Sequence, residues 1–417
     1  MTRRLSSILD APWFVAACLL AALLVRCLWM LLVDPKPISD FDWYYTQGIH
    51  ILEGRGYQNA GAPTAYWPVG YSAFLAGLFA VFGTSVMVSH VANLVLDMGV
   101  LVLAYVVARD LFKSERTARL TLLLLAFHPN HIAYVSLVAS EILFTFLMLL
   151  GIWLLLHAGS RWPRVLAAGI VFGLVFLVRI QLLFIPLIAC WHIPKPWRRR
   201  LALVGAVYAV AAVVLVPWSI RNYRAFGHFV LVSTNSGGNL LVGNCPWATG
   251  AYIENPEIDR IQGHGGEWQR DHNAKEYAIR YALTHPVETL KILPHKFYYL
   301  YRGDVEGIRW SLEGIRADGR SMPVSAATAL VVLAQTYYMA MFEACLLCLV
   351  LALRSGAFRR GFPVLGLSVI GYFTLMALVF FGGARYHFPA MPFVAMYAAA
   401  LPGLVRQGRA GDSTATT

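Results

Sequence analysis

Charge is what this sequence has least of. Only 13% of its 417 residues are Asp, Glu, Lys or Arg, and 58% are hydrophobic; a soluble domain carries about 25% charged residues. So large a deficit excludes a water-bathed globular domain. Cysteine is scarce as well. Of the six, Cys18, Cys27, Cys190, Cys345 and Cys348 lie in apolar runs and Cys245 stands alone in a polar segment, which excludes a disulfide framework. The CLLC at 345–348 has redox-motif spacing but sits inside a lipid-length run, where two small buried residues are the simpler explanation. No repeat of 20–50 residues is visible, which weakens a carrier built from duplicated halves. The glycines of NSGGN (235–239) lack nucleotide-fingerprint spacing, and HGGEWQRDH (264–272) lacks HExxH spacing, so neither marks a dinucleotide or a helical zinc site.

What is present is a succession of apolar runs near the ~20 residues needed to cross ~30 Å of hydrocarbon. The net charge of +12 would suggest nucleic acid in a soluble protein. Here Lys and Arg cluster in short loops between the runs, which is a topology signal; no nucleic-acid motif accompanies them and no such partner is expected. MTRR at the start is expected inside. Pro12 to Val33 is too long for a signal-peptide core and precedes no small-residue cleavage site, so it is expected to cross outward. RDLFKSERTAR (109–119), SRWPR (160–164), PKPWRRR (194–200) and RSGAFRR (354–360) are then cytoplasmic. Two basic flanks around 165–191 require two shortened helices meeting near Arg179 and Gln181. The expectation is an all-α polytopic membrane protein with about ten transmembrane helices, eleven or twelve if the short pairs are miscounted. Interfacial helices fall in the first external loop, with Gly70 to Gly83 too short to span. A small mixed external domain is expected, with a strand at FVLVST (229–234). The divisions are 1–216, an N-terminal membrane module including the loop 34–85; 217–325, an external domain; and 326–417, a C-terminal module with a cytoplasmic tail.

Against this apolar background the ionisable residues stand out. KPISDFDWYYTQG (36–48) places Asp40 and Asp42 among aromatics just beyond the first run. Ser39 is a plausible helix N-cap, and acids are favoured there in any case. The functional alternative is a carboxylate acting as general base, with Tyr44 one turn on from Asp40. Tyr66 and Trp67 either stack on a sugar ring or anchor at the interface. Glu141 opens an apolar run, where a charge is costly unless paired or functional. Arg179 has no acid close in sequence, which suits an anionic ligand or a pairing with Asp40 or Glu141. Arg221 and Lys296 stand at expected membrane edges, where snorkelling competes with lipid-phosphate contact. GGARYHFPAMPF (382–393) brings Arg385, Tyr386 and His387 together, which suits a phosphate leaving group or headgroups.

The order of these features resembles the membrane glycosyltransferases of the GT-C superfamily. It is most similar to the bacterial branch related to dolichyl-phosphate-mannose–protein mannosyltransferases and to the aminoarabinose transferase of lipid A. The stretches 39–83 and 217–250 carry most of the resemblance. It implies a bacterial-type inner-membrane enzyme with both termini cytoplasmic and an external active site. Such an enzyme passes a sugar, with inversion, from a polyprenyl-phosphate-linked donor to a glycan, lipid or protein acceptor. Asp40 and Glu141 are then catalytic; Arg179, Arg385, His387 and Lys296 meet the donor phosphate; Asp42, Tyr44, Tyr66, Trp67, Arg221, Asn239 and Tyr386 bind substrate. The family's acid is often Asp-Glu, four residues before a Tyr; here Asp40 and Tyr44 keep the spacing but Phe41 replaces the Glu. No metal-ligand set is assigned, although a divalent metal stays open as a cofactor. A flippase of a lipid-linked sugar and a non-catalytic subunit of envelope glycan assembly are the competing functions.

Overall fold

The computed structural model describes residues 8–159 and 161–414; the MTRR start, Ser160 of SRWPR and the side chains beyond Arg406 lie outside that description. Five helices among the described residues are long and apolar enough to cross a membrane: Phe14–Leu32 (α1), Val86–Phe112, Trp197–Phe226, Val324–Arg354 and the segment Ala384–Arg406. Shorter apolar helices accompany them, including Gly70–Phe82, Glu141–Leu156, Trp162–Val178 and Leu365–Val379. A helix of 16 residues covers only about 24 Å, so length alone carries five spans, and the rest of the expected ten depend on these shorter helices.

Helix α1 shows how the sequence chooses its faces. Phe14, Cys18, Ala22, Arg26 and Met30, four residues apart, are buried. Leu20, Leu24, Leu28 and Leu31 are exposed. In water such a leucine face would be an aggregation liability; in hydrocarbon it is the solvent-facing surface. The buried stripe carries an arginine, and its partner is Asp97, 2.5 Å away on the helix Val86–Phe112, both fully buried.

Helix α2 (Asp40–Leu52) follows the first span, then a two-stranded antiparallel hairpin, 58–59 with 62–63, and α3 (Gly70–Phe82). The chain continues through α4 (Val86–Phe112), α5 (Glu115–Ala126) and α6 (Pro129–Tyr134), with Phe127 and His128 separating the last two and HPNH (128–131) running into α6. Next come α7 (Glu141–Leu156), α8 (Trp162–Val178), a 3₁₀ turn at Ile180–Leu182, α9 (Ile185–Trp191) and α10 (Trp197–Phe226). The expected break at Arg179 and Gln181 is there. Helix α8 lies against α10 through Gly169 and Gly173, where any Cβ would come within 2.6 Å of Val210 or Val214; small residues let membrane helices approach in this way.

The polar region after α10 is helical: α11 (Ser236–Gly243), α12 (Pro256–Gln262), α13 (Glu267–Thr284), α14 (Pro286–Tyr301) and α15 (Glu306–Ala317). The strand expected at 229–234 does not form, and NSGGN enters a helix instead of a turn. The reason lies in α10, which runs on through Pro217 to Phe226. Its side chains take the carbonyls a sheet would have used: Trp218 donates to Val232, Ser219 to Leu231 and Asn222 to Val230. The chain closes with α16 (Val324–Arg354), α17 (Leu365–Val379), a 3₁₀ segment at Ala384–Ala390 and α18 (Met391–Thr414).

Candidate active site

Four side chains from four separate elements converge at one end of this bundle. Asp40 opens α2, Glu141 opens α7, Arg179 is the extended residue that ends α8, and Arg385 lies in the 3₁₀ segment before α18. Arg385 donates from Nη1 to Asp40 Oδ2 at 2.9 Å and from Nε to Glu141 Oε1 at 3.0 Å. Arg179 donates from Nη2 to the same Glu141 oxygen at 2.5 Å and from Nε to Ser140 Oγ at 3.0 Å. The result is a formally neutral quartet of two carboxylates and two guanidiniums. Of the two explanations for Arg179, pairing with Glu141 is the one seen. Glu141 is 1% exposed, whereas Asp40 and Arg385 keep about a fifth of their side-chain surface. The quartet is thus buried on its glutamate side and open on its aspartate side.

Local backbone features hold these groups in place. Ser39 does not cap α2 with its side chain; it sits at φ +51°, a conformation that costs an L-residue about 1–3 kcal/mol. That bend starts the helix at Asp40. Gly70 lets the start of α3 touch the backbone of Leu177 and Val178, where a Cβ would lie 2.6 Å away, immediately before Arg179. At Gly382 a Cβ would collide with the carbonyl of Lys296, so a bare backbone lets the strand of chain leading to Arg385 press onto α14.

The other expected site residues separate into three groups. Tyr44 lies beneath the quartet, buried against Tyr71 at 5.3 Å and Trp67 at 6.4 Å between ring centroids; burial pushes its phenol up to about 12. Tyr386 packs edge-on against Phe381. Tyr66, Trp67 and Asn239 line an open cleft of about 890 Å³. Burial first, and then neighbouring negative charge that includes Asp40, raises the phenols of Tyr66 and Tyr252, so Asp40 lies within electrostatic reach of this cleft.

Arg221 is committed to the first loop, donating to the carbonyls of Thr64 at 2.7 Å and Tyr57 at 2.5 Å and lying over Trp218. Lys296 is buried and donates to Asn244 Oδ1 and the Leu378 carbonyl, not to the quartet; burial lowers it to about 8. Asp42 is exposed on α2, two residues and so about 200° around the helix from Asp40. His387 points away from Arg385. Its Nδ1 lies 2.5 Å from the Leu300 carbonyl, its Nε2 lies 3.3 Å from Asp304, and its ring is stacked between Tyr301 and Tyr338.

His387 belongs to a second buried polar cluster that sequence reasoning did not assemble. Asp304 is fully buried, accepts a hydrogen bond from Asn130 and lies 3.4 Å from His128. His131 lies 3.5 Å from Asp97, and Asp97 pairs with Arg26. A sequence signal did exist: an arginine and an aspartate in the middle of lipid-length runs, together with HPNH.

The donor set at the quartet does not suit a divalent cation. Both carboxylates are already neutralised by arginines, and no group of three His, Cys, Asp or Glu residues among the described residues is placed to hold an ion. In the external region Glu267 accepts from Thr64, the Ala65 amide and Thr234, and Asp271 accepts from the Gly237 amide, so both acids bind protein groups.

Residues 67–220 match the family model described as dolichyl-phosphate-mannose-protein mannosyltransferase. The match contains Trp67, Glu141 and Arg179. A curated relative, the undecaprenyl phosphate-alpha-4-amino-4-deoxy-L-arabinose arabinosyl transferase of Pseudomonas paraeruginosa, is 29% identical over 153 residues, 34% of this chain and 28% of that protein. The chain therefore spans less than a third of that relative's length. Among solved structures, the Archaeoglobus fulgidus oligosaccharyltransferase tethered to an acceptor peptide is similar over 95% of this chain and 50% of its own, with a TM-score of 0.51 and 14% identity. ArnT from Cupriavidus metallidurans, bound to undecaprenyl phosphate, aligns over 94% of this chain and 77% of its own at 15% identity and a TM-score of 0.45. The chain is thus similar to a mannosyltransferase family model through the centre of the bundle, and its fold is similar to that of the oligosaccharyltransferase over nearly its whole length.

Proposed function

We propose that the protein is an integral-membrane glycosyltransferase that moves a sugar from a polyprenyl-phosphate donor to an acceptor hydroxyl. The observation that carries this is the quartet, in which the part-exposed Asp40 pairs with Arg385, Glu141 holds both arginines, and Asp40 lies within electrostatic reach of the tyrosines of a large polar cleft. The apolar outer faces of the bundle suit a polyprenyl tail, and the matched relative's name includes an undecaprenyl-phosphate sugar.

The chemistry runs as one displacement. The acceptor oxygen attacks the anomeric carbon from the face opposite the phosphate. The bond from that carbon to the phosphate oxygen breaks, and the electron pair leaves with the phosphate. The acceptor's proton passes to Asp40, whose Oδ1 is free of the contact Arg385 makes to Oδ2. The departing dianion is stabilised by N–H groups of Arg385 and Arg179. Since both arginines are paired with acids, a phosphate must compete with Asp40 and Glu141 for them. Its arrival draws Arg385 away from Asp40 and frees that carboxylate to take the acceptor's proton. No metal is required: a lipid phosphate is already a fair leaving group, and two guanidiniums supply the charge. The clustering of Lys and Arg in the short loops supports an external face for the site.

The test is Asp40→Asn in purified protein given a polyprenyl-phosphate sugar and an envelope extract as acceptor. The expected outcome is a loss of transfer of about 10²-fold or more with donor binding retained. Transfer at the wild-type rate would remove Asp40 as the base. Movement of the carrier between leaflets by the wild type, without transfer, would replace the enzyme with a flippase.

A further inference from the structure

The cleft beside the quartet has a charge opposite to that of the molecule. The chain carries a net +12. Yet the cleft is lined by four carboxylates, Glu254, Asp259, Glu267 and Asp271, and by one cation, Arg270. That cation is itself tied to Asp259 at 3.3 Å and to Gln262 at 2.9 Å. Asp271, raised by burial, accepts from the Gly237 amide on one wall of the cleft.

The apolar part of the lining is aromatic. Tyr252 is 60% exposed and Tyr66 is 44% exposed, and Trp67 meets Tyr66 edge-on at 5.1 Å. Side-chain amides complete the wall at Asn59, Asn235, Asn239 and Gln262. Exposed aromatic faces that alternate with carboxamides and carboxylates match one ligand chemistry. Sugar rings present C–H faces for stacking and hydroxyls that donate to carboxylates and pair with amides. A volume of about 890 Å³ accommodates several such rings. Phosphorylated or uronic-acid ligands would meet a net negative wall whose one cation, Arg270, is already held by Asp259, and would pay desolvation there.

We infer that this cleft is the acceptor site and that it takes a non-anionic glycan, uncharged or amine-bearing, whose terminal hydroxyl reaches Asp40. The inference rests on the transferase assignment for the word acceptor, but not for the binding itself. It separates this protein from any enzyme whose acceptor is a polyphosphorylated lipid.

The experiment uses the full chain in lipid nanodiscs, without donor, titrated with three matched probes: chitotetraose, its fully deacetylated amine form, and tetragalacturonate. The neutral and amine-bearing tetramers are expected to bind at least tenfold more tightly than the uronate. Tyr252→Ala should weaken the neutral tetramer by about 2- to 10-fold, the value of one aromatic contact. Glu254 and Asp259 are exposed, and the double substitution Glu254→Lys, Asp259→Lys, which also releases Arg270 from Asp259, should shift preference toward the uronate. Uronate binding as tight as that of the neutral tetramer would overturn the inference. So would absence of neutral binding up to about 10 mM, or indifference of all three titrations to these substitutions. A wild type that binds these probes but never transfers would overturn the transferase assignment alone.

Discussion

Glu141→Gln separates an arginine pair that awaits phosphate from one that only braces the fold. The wild-type carboxylate holds Arg179 at 2.5 Å and Arg385 at 2.8 Å, so the quartet is neutral. The amide keeps the shape and one acceptor oxygen but removes the charge, leaving two guanidiniums with Asp40 alone. Removing one partner of a buried ion pair costs about 3–5 kcal/mol; because the amide oxygen still accepts, the lower end applies. The same change gives the site a net positive charge. At about 5 Å and an effective dielectric near 20, one unit charge acting on a phosphate is worth about 3 kcal/mol. With roughly half of that lost to screening, a short-chain polyprenyl phosphate should bind about tenfold more tightly. The assay pairs a thermal melt in detergent with a titration of that phosphate. The expected signature is opposed: lower Tm in the free protein, higher phosphate affinity, and a larger stabilisation by ligand. A variant that melts lower and binds phosphate equally or more weakly would refute the idea that these arginines receive the donor.

Three further perturbations test other parts of the structure. Asp97→Leu should cost about 3–5 kcal/mol because Arg26 is left buried without its counter-ion, while the double substitution Arg26→Met, Asp97→Leu should recover most of it; melts of the wild type, Arg26→Met, Asp97→Leu and the double substitution give the coupling, and additive losses would show that the pair is not an interacting unit. Lys296, lowered by burial from 10.5 to about 8, is proton-poor in the fold between those values, so the unfolded chain binds the extra proton there. Wild-type stability should rise between pH 8 and 10.5, by at most about 3 kcal/mol, relative to Lys296→Met, and flat difference melts over that window would contradict a desolvated lysine. Gly70→Val places side-chain atoms against the backbone at Leu177 and Val178 and should cost about 1–3 kcal/mol, with transfer falling more than expression because Arg179 is the next residue; unchanged transfer would show that this contact does not set the arginine's position.

The sequence was most legible where one physical rule dominates. Hydrocarbon demands long apolar runs, and the helices Phe14–Leu32, Val86–Phe112 and Val324–Arg354 lie close to where composition alone would put them. The discontinuity at Arg179 followed from parity, since two basic flanks cannot be joined by one crossing. Where several rules competed, local reading failed. FVLVST has strand composition, but a strand needs a partner, and the carbonyls of Val230, Leu231 and Val232 were taken by α10 side chains about ten residues earlier in sequence. Ser39 has a capping side chain, but its backbone was bent to aim Asp40 instead.

Pairing was the property least visible in one dimension. Arg179 and Glu141 are 38 residues apart, and Arg385 and Asp40 are 345 apart; no spacing rule links them. Yet each was conspicuous alone, because an unpaired charge in an apolar chain is expensive and must find a partner or a ligand. The same logic applies to Arg26 and Asp97, whose surrounding runs otherwise read as uninterrupted hydrocarbon. The difference between the two pairs is exposure. Arg26 and Asp97 are sealed at 0%, with a histidine beside them, so their attraction is satisfied within the fold. Arg385 and Asp40 remain about one-fifth exposed. A sealed pair can only hold helices together. A pair open on one side can exchange its partner for an incoming anion, and that asymmetry is the physical ground for placing the chemistry at Asp40 rather than at Asp97.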